Sequence, residues 1–160
     1  MEIVDAGVVP PDRLRGFLVW AWHADYIVAH GERIRPADSP GFVALDADRI
    51  VGHVSYRIID QACELTSIVA EPRGRGIGSI LLEAVVDAAR VAGCLRVWLT
   101  TTNDNIDALR FYQRRGLRLM ALRPGAVDEW RRRLKPEIPA IGAYGIPMRD
   151  ELDLELEIVR

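Results

Sequence analysis

Between a strand-like run and a helix-like run lies Arg73-Gly74-Arg75-Gly76-Ile77-Gly78. The glycines remove Cβ atoms where a ligand could approach the backbone. The first N–H groups of a helix have no partner inside it and point outward with the positive end of its dipole. Such a turn is suited to phosphate, and Arg73 and Arg75 add charge-assisted contacts. Two familiar phosphate loops do not fit. A Walker loop ends in Gly-Lys-Ser/Thr, whereas the segment reads Gly76-Ile77-Gly78-Ser79 without lysine. A dinucleotide fingerprint needs its third glycine one position later, where Ser79 stands.

The spacing Arg73-x-x-Gly76-x-Gly78 resembles the pyrophosphate-binding motif of the GNAT superfamily of N-acetyltransferases. A second segment, Asn105-Ile106-Asp107-Ala108-Leu109-Arg110-Phe111-Tyr112-Gln113-Arg114-Arg115-Gly116-Leu117, is similar to that superfamily's Asn-x-x-Ala-x-x-Phe-Tyr…Gly-Phe stretch, with Leu117 in place of the usual aromatic. The two motifs stand in the expected order, separated by one helix and one strand, and the resemblance covers about residues 41–122. Pro72 directly precedes Arg73, whereas many relatives have two residues between a proline and this arginine. That difference bears on where the preceding strand ends.

The resemblance implies a mixed α/β (α+β) fold. Its sheet would be mostly antiparallel, of about six to seven strands flanked by helices, with two splayed central parallel strands, Glu64–Val69 and Leu95–Thr101. It implies acetyl-CoA as co-substrate and an amine as acceptor. Ile68 and Val69 would meet the pantetheine or the acetyl carbonyl through main-chain groups. Arg73, Gly74, Arg75, Gly76, Ile77, Gly78 and Ser79 would hold the pyrophosphate. Asn105 and Ala108 would line the cofactor, and Tyr112 would stand at the thiol as general acid. An ammonium cannot attack a thioester, so a base must first remove a proton. Glu64 is the candidate, placed by strand alternation on one face with Thr66 and Ile68, and His53 on the neighbouring strand is a second. The same loop would accept another acyl-CoA, and a CoA-binding regulatory domain without turnover is the alternative from a different class.

These groups require scaffolding. Pro10-Pro11-Asp12 starts a helix that carries Leu14, Phe17, Leu18 and Ala21 at helical spacing. Residues 26–35 read as a second short helix or an irregular segment, and 35–41 as a loop. Gly41–Leu45 and Ile50–Ile59 form a hairpin about Asp46-Ala47-Asp48, with Val54, Tyr56 and Ile58 on one face and His53, Ser55 and Arg57 on the other. Asp60-Gln61 turns the chain into a strand over Cys63–Val69. Gly78, Leu81, Leu82, Val85, Ala89 and Ala92 stripe a helix that Gly93 stops. Leu95–Thr101 suits an interior strand, and Asn103-Asp104-Asn105 reads as a cap for a helix reaching Arg115. Leu117–Leu122 is a strand, Val127–Lys135 a helix with a solvated basic face at Trp130–Lys135, and Pro136–Pro147 a surface loop. Leu152–Ile158 alternates as a half-buried strand.

At 160 residues the chain is the size of one domain, read here as a single acyltransferase domain. A formal net charge of −2 argues against a nucleic-acid partner. The densest apolar stretch, Phe17–Trp22, falls short of the roughly 20 residues that span a bilayer, so no membrane partner is expected. Met1–Asp5 lacks the form of a secretory signal. Cys63 and Cys94 are too few for a disulfide framework or a metal knot and read as buried thiols. A cytoplasmic, metal-free enzyme is the expectation. Its partners would be a small-molecule or peptide amine acceptor and a second copy in a homodimer. Trp20 and Trp22 cannot both face one helical core stripe, so one is a candidate for the acceptor pocket or an oligomer contact.

Overall fold

The computed structural model describes Met1–Val159. In chain order its elements are β1 (Glu2–Asp5), α1 (Pro11–Trp22), β2 (Ile27–Ala29), β3 (Glu32–Ile34), β4 (Gly41–Asp46), β5 (Arg49–Ile59) and β6 (Ala62–Ala70). Then follow α2 (Ile77–Val91), β7 (Arg96–Thr102), α3 (Ile106–Arg114), β8 (Arg118–Arg123), α4 (Ala126–Arg133) and β9 (Glu151–Glu157). The chain divides into two compact units. One holds Met1–Ile27, Arg35–Val97 and the chain from Ile158; the other holds Val28–Ile34 and Trp98–Glu157.

In the first unit the strands run β1-β4-β5-β6, each pair antiparallel. Asp60 and Gln61 both take positive φ, 50° and 62°, the twist that a two-residue hairpin turn needs. Helix α2 buries Ile77, Leu81, Leu82, Val85 and Ala89, the stripe expected from the sequence. It lies so close to β5 that a Cβ on Gly52 would stand 2.8 Å from Ile77 Cγ2 and 2.9 Å from Leu81 Cδ1. The opposite face packs Val43 with Leu14 and Leu18 of α1, joined by the partly buried Val69. Cys63 and Cys94 are buried free thiols, and burial, with smaller contributions from Cys94 and Glu64, pushes Cys63 up to about 12.

The second unit orders its strands β7-β9-β8, with β8 and β9 antiparallel. Four strands in one unit and three in the other match the six to seven expected, and the fold class is mixed α/β as read. Two expectations change. Residues 26–35 hold no helix: β2 and β3 form a two-stranded sheet, because His30 and Gly31 both take positive φ, 37° and 82°, and reverse the chain. The N-terminal strand β1 carries no sequence signal of its own, since four residues are too few to show a period.

Candidate active site

The glycine loop begins one residue beyond the strand end expected from the sequence, because β6 continues to Ala70. The backbone N–H of Glu71 donates to Val51 O at 2.9 Å, which ties the loop's entry to β5. Glu71 through Gly76 are exposed. Gly74 and Gly76 sit at φ +80° and +79°, with nothing within 4 Å of where a Cβ would stand. Gly76 is the N-cap of α2, and no side chain caps that helix. The loop thus presents glycine backbone, the start of a helix and two exposed guanidinium-bearing residues on one accessible surface. Ile77, Gly78 and Ser79 form the first turn, and Ile68 and Val69 are half-buried at the end of β6.

The β5–β6 pairing shifts register between Ser55 and Tyr56: Ser55 faces Ser67 while Tyr56 faces Leu65, so Thr66 is the extra residue. A bulge resets the alternation of faces. Glu64 therefore shares its face with Ser67, Val69, His53, Ser55 and Arg57, and Ile68 lies on the other face, which corrects the phase expected for Glu64. The Ser55 and Thr66 hydroxyls are 2.8 Å apart. Arg57 Nε donates to Glu64 Oε2 at 2.6 Å, and the Glu64 side chain is only 5% exposed.

His53 is completely buried, opposite Val43 on β4 and Val69 on β6. Neither ring nitrogen has a hydrogen-bond partner among the described residues, and neither does the Ser67 hydroxyl. Burial lowers the imidazole from 6.5 to about 4, so it is neutral at physiological pH.

In the second unit, α3 carries the other motif. Asn105, Ala108 and Tyr112 recur at i, i+3 and i+7, which places them on one helical face. Tyr112 is buried, and desolvation raises its phenol well above the ordinary value, so the hydroxyl keeps its proton. Asn105 occupies the N-cap position without a side-chain cap; its Nδ2 donates to Thr101 Oγ1 at 3.2 Å. The other two members of the expected cap serve the 140–150 segment. Asn103 Oδ1 accepts from the N–H groups of Arg149 and Asp150, both at 3.0 Å, and its Nδ2 donates to Pro147 O at 2.9 Å. Asp104, also buried, accepts from Thr102 Oγ1 at 2.5 Å and from the N–H of Ala143 at 2.9 Å. Backbone donors from that segment outcompete the helix start for these side chains.

Arg131 departs from the solvated basic face expected for α4. It donates to the carbonyls of Ile138, Pro139 and Met148 at 2.7–2.8 Å and pairs with Asp128. The loop after α4 is thereby held in place. Arg132 and Arg133 do face solvent.

A further charged cluster carries no local motif. Arg123 donates to both oxygens of Asp153, at 2.7 and 2.8 Å, and to Glu151 Oε1 at 3.2 Å. Thr100 Oγ1 also donates to Asp153, at 2.7 Å. Glu151 is 1% exposed, and its Oε2 accepts the backbone N–H of His30 at 3.0 Å. Burial works to raise the Asp153 carboxyl, but the hydrogen bonds from Arg123 and Thr100 outweigh it and hold the group below its usual range. Trp20 is 59% and Trp22 37% exposed, so neither belongs to the core.

Among the described residues, no group of three or more His, Cys, Asp or Glu could hold a metal ion, and no helix is long and apolar enough to cross a membrane. Comparison with known proteins agrees with the two motifs. The sequence model of the acetyltransferase (GNAT) family matches residues 12–117. The Bacillus subtilis protein YdhI is 36% identical over 153 residues, 95% of each chain. Streptothricin acetyltransferase of Streptomyces lavendulae is 38% identical over 91 residues, 54% of this chain and 48% of that protein. A crystal structure of a B. subtilis acetyltransferase in complex with CoA superposes with a TM-score of 0.71, covering 99% of both chains at 18% identity.

Proposed function

The chain belongs to the acetyltransferase (GNAT) family, and from that premise we propose that it transfers an acetyl group from acetyl-CoA to an amine by direct attack on the thioester. The observation that carries this reading is the exposed Arg73–Gly78 loop, with two positive-φ glycines opening an uncapped helix. It suits a pyrophosphate: a helix start leaves its first N–H groups without intrahelical partners, nothing stands within 4 Å of the Cβ positions of Gly74 and Gly76, and Arg73 and Arg75 supply charge. Acetyl-CoA bound there brings an acyl group already activated as a thioester.

The chain's own residues then have separable tasks. Ile68 and Val69 offer main-chain groups at the end of β6. A backbone N–H aimed at the carbonyl oxygen stabilises the tetrahedral intermediate; one such donor contributes about 2.7–4 kcal/mol. Asn105 and Ala108 line the cofactor along α3, and the small Ala108 keeps the helix close to it. Tyr112, protonated at neutral pH, supplies the proton or hydrogen bond that the leaving thiolate needs. Glu64 is the proposed base, acting through water, with its carboxylate oriented by Arg57. We read the chain as a single acyltransferase domain.

The proposed acceptor is an amine on a small molecule or a peptide. The test is purified protein with acetyl-CoA and a panel of amines, including streptothricin and peptide α-amines, followed by thiol release. Thiol release that depends on the amine, with an amide product, supports the reading. CoA binding without turnover on any amine or acyl donor reassigns the chain as a binding module, and absence of CoA binding removes both.

A further inference from the structure

The β2–β3 hairpin turns at His30 and Gly31, and three contacts attach it within the second unit. Glu151 accepts the His30 N–H at 3.0 Å. The Trp130 ring of α4 covers Gly31, its Cη2 3.2 Å from where a Cβ would stand. Arg33 Nη2 donates to Leu134 O at 2.8 Å. His30 itself takes φ 37°, a region that residues with a Cβ rarely adopt, so the turn depends on what surrounds it.

The imidazole is placed by the same turn. Its ring centroid lies 5.5 Å from that of Trp98 on β7. Nδ1 stands 3.6 Å from Glu32 Oε2 of β3, and the His30 side chain is 20% exposed. Glu151 and Asp153 come from β9, and Arg123 of β8 pairs with both. Thr100 of β7 donates to Asp153. Asp153 senses the ring as well: burial works to raise its carboxyl, Arg123 and Thr100 lower it, and His30 adds to the lowering. These elements set three carboxylates and one guanidinium about one imidazole. An imidazolium there meets net opposite charge, and a neutral ring does not.

The three attachments above keep their charge near neutral pH, whereas an imidazole changes its charge there. We propose that His30 is a pH-operated latch: its imidazolium braces the turn through Glu32 and draws it onto β9 through Asp153, and loss of the proton loosens the hairpin while the β7-β9-β8 sheet stays folded. The docked hairpin favours the protonated ring. Docking is therefore tightest below the ordinary imidazole value of about 6.5 and weakens as pH rises through it. The latch is a property of the protein without ligand and stands apart from the acetyl-CoA reading.

Amide hydrogen exchange of residues 28–34 between pH 5.5 and 8.5, each rate divided by its intrinsic rate at that pH, reads the opening of the hairpin. Opening is expected to rise about three- to tenfold across that range, as it does when the docked imidazole holds its proton about three- to tenfold more tightly than the undocked one. The amides of β9 are expected to stay unchanged. His30→Asn tolerates a left-handed turn, keeps the N–H that Glu151 accepts and carries no titrating group. Its hairpin is expected to open independently of pH, within about twofold of the wild-type value at pH 8.5. Glu32→Gln leaves the turn residue in place and is expected to reduce the wild-type rise, which keeps the test decisive should asparagine disturb the turn. Wild-type opening that is flat across pH overturns the proposal. So does a rise as large as the wild type's in either variant, and so does a rise shared equally by the β9 amides, which would mean general loosening of the unit.

Discussion

Replacing His53 by leucine is expected to stabilise the protein, and to do so more strongly in acid. The imidazole is completely buried and its two nitrogens lack partners. A buried polar group without a hydrogen bond costs about 1–3 kcal/mol. Leucine removes both nitrogens at similar volume, against a packing mismatch typically under about 1.5 kcal/mol. The net expectation at pH 7.5 is a gain of about 1–2 kcal/mol, or roughly 2–8 °C in Tm for a chain this size. The pH dependence has a definite sign. The folded-state value of about 4 lies below the ordinary 6.5. Between those values the unfolded chain binds a proton that the folded chain refuses, so wild-type stability falls as pH drops from about 6.5 to about 4. At 1.36 kcal/mol per pKa unit the full loss is about 3 kcal/mol. Carboxylates such as Asp153 titrate in both proteins, so the difference between the two curves isolates His53. Urea unfolding of both proteins at pH 7.5, 5.5 and 4.5 measures it. A leucine variant that is less stable at pH 7.5, with a gap that stays constant across pH, would mean that the imidazole is satisfied in the native state and would refute the reasoning.

Gly76→Asp is expected to lower CoA affinity at least tenfold, because a carboxylate then faces the pyrophosphate. Aspartate tolerates positive φ better than most residues, so Tm should change little, and unchanged affinity by calorimetry would remove the loop from the site. Tyr112→Phe is expected to lower kcat about 10- to 100-fold with KM for acetyl-CoA within threefold; equal turnover would end its role at the thiol. Glu64→Gln is expected to cost about 10²–10⁴ in kcat/KM, the range of general base catalysis, with CoA affinity unchanged. A small loss that matches the loss in Arg57→Leu would instead identify the pair as structural.

Much of the scaffold was legible because its signals are local. The stripe Leu81, Leu82, Val85, Ala89 repeats at helical spacing within α2, and Gly93 ends it with φ +77°. The hairpin turns lie within a few residues of the strands they join. The misses have a common cause. The bulge at Thr66 exists only in the register between β6 and β5, so strict alternation assigned Glu64 to the face of Ile68. Asn103 and Asp104 look like helix caps because a short polar side chain before a helix usually finds the nearest N–H groups. Here the winning donors belong to residues 143–150, about 40 positions later. Sequence proximity set the expectation and tertiary competition decided the outcome.

The same distinction separates the donor side of the reaction from the acceptor side. A pyrophosphate is recognised chiefly by main-chain N–H groups at a helix start, so its site is one continuous strand, loop and helix. Glycine spacing there marks a phosphate-suited turn, and the Asn105–Leu117 motif adds the resemblance to a CoA site. An acceptor has to be discriminated by side chains that meet from separate segments. The Arg123 cluster shows why such groups escape a linear reading. In β9 the alternation Leu152-Asp153-Leu154-Glu155 marks the acidic positions as solvent-facing, and an isolated carboxylate would indeed remain there. Glu151 is nevertheless buried, because Arg123 and the His30 N–H reach it from 28 and 121 residues away. A buried charge depends on partners of good geometry, and those partners appear only when β2, β8 and β9 have assembled. Two local motifs, Arg73–Gly78 and Asn105–Leu117, therefore point to the donor from the sequence, while a pairing such as Arg123 with Glu151 leaves no spacing to read.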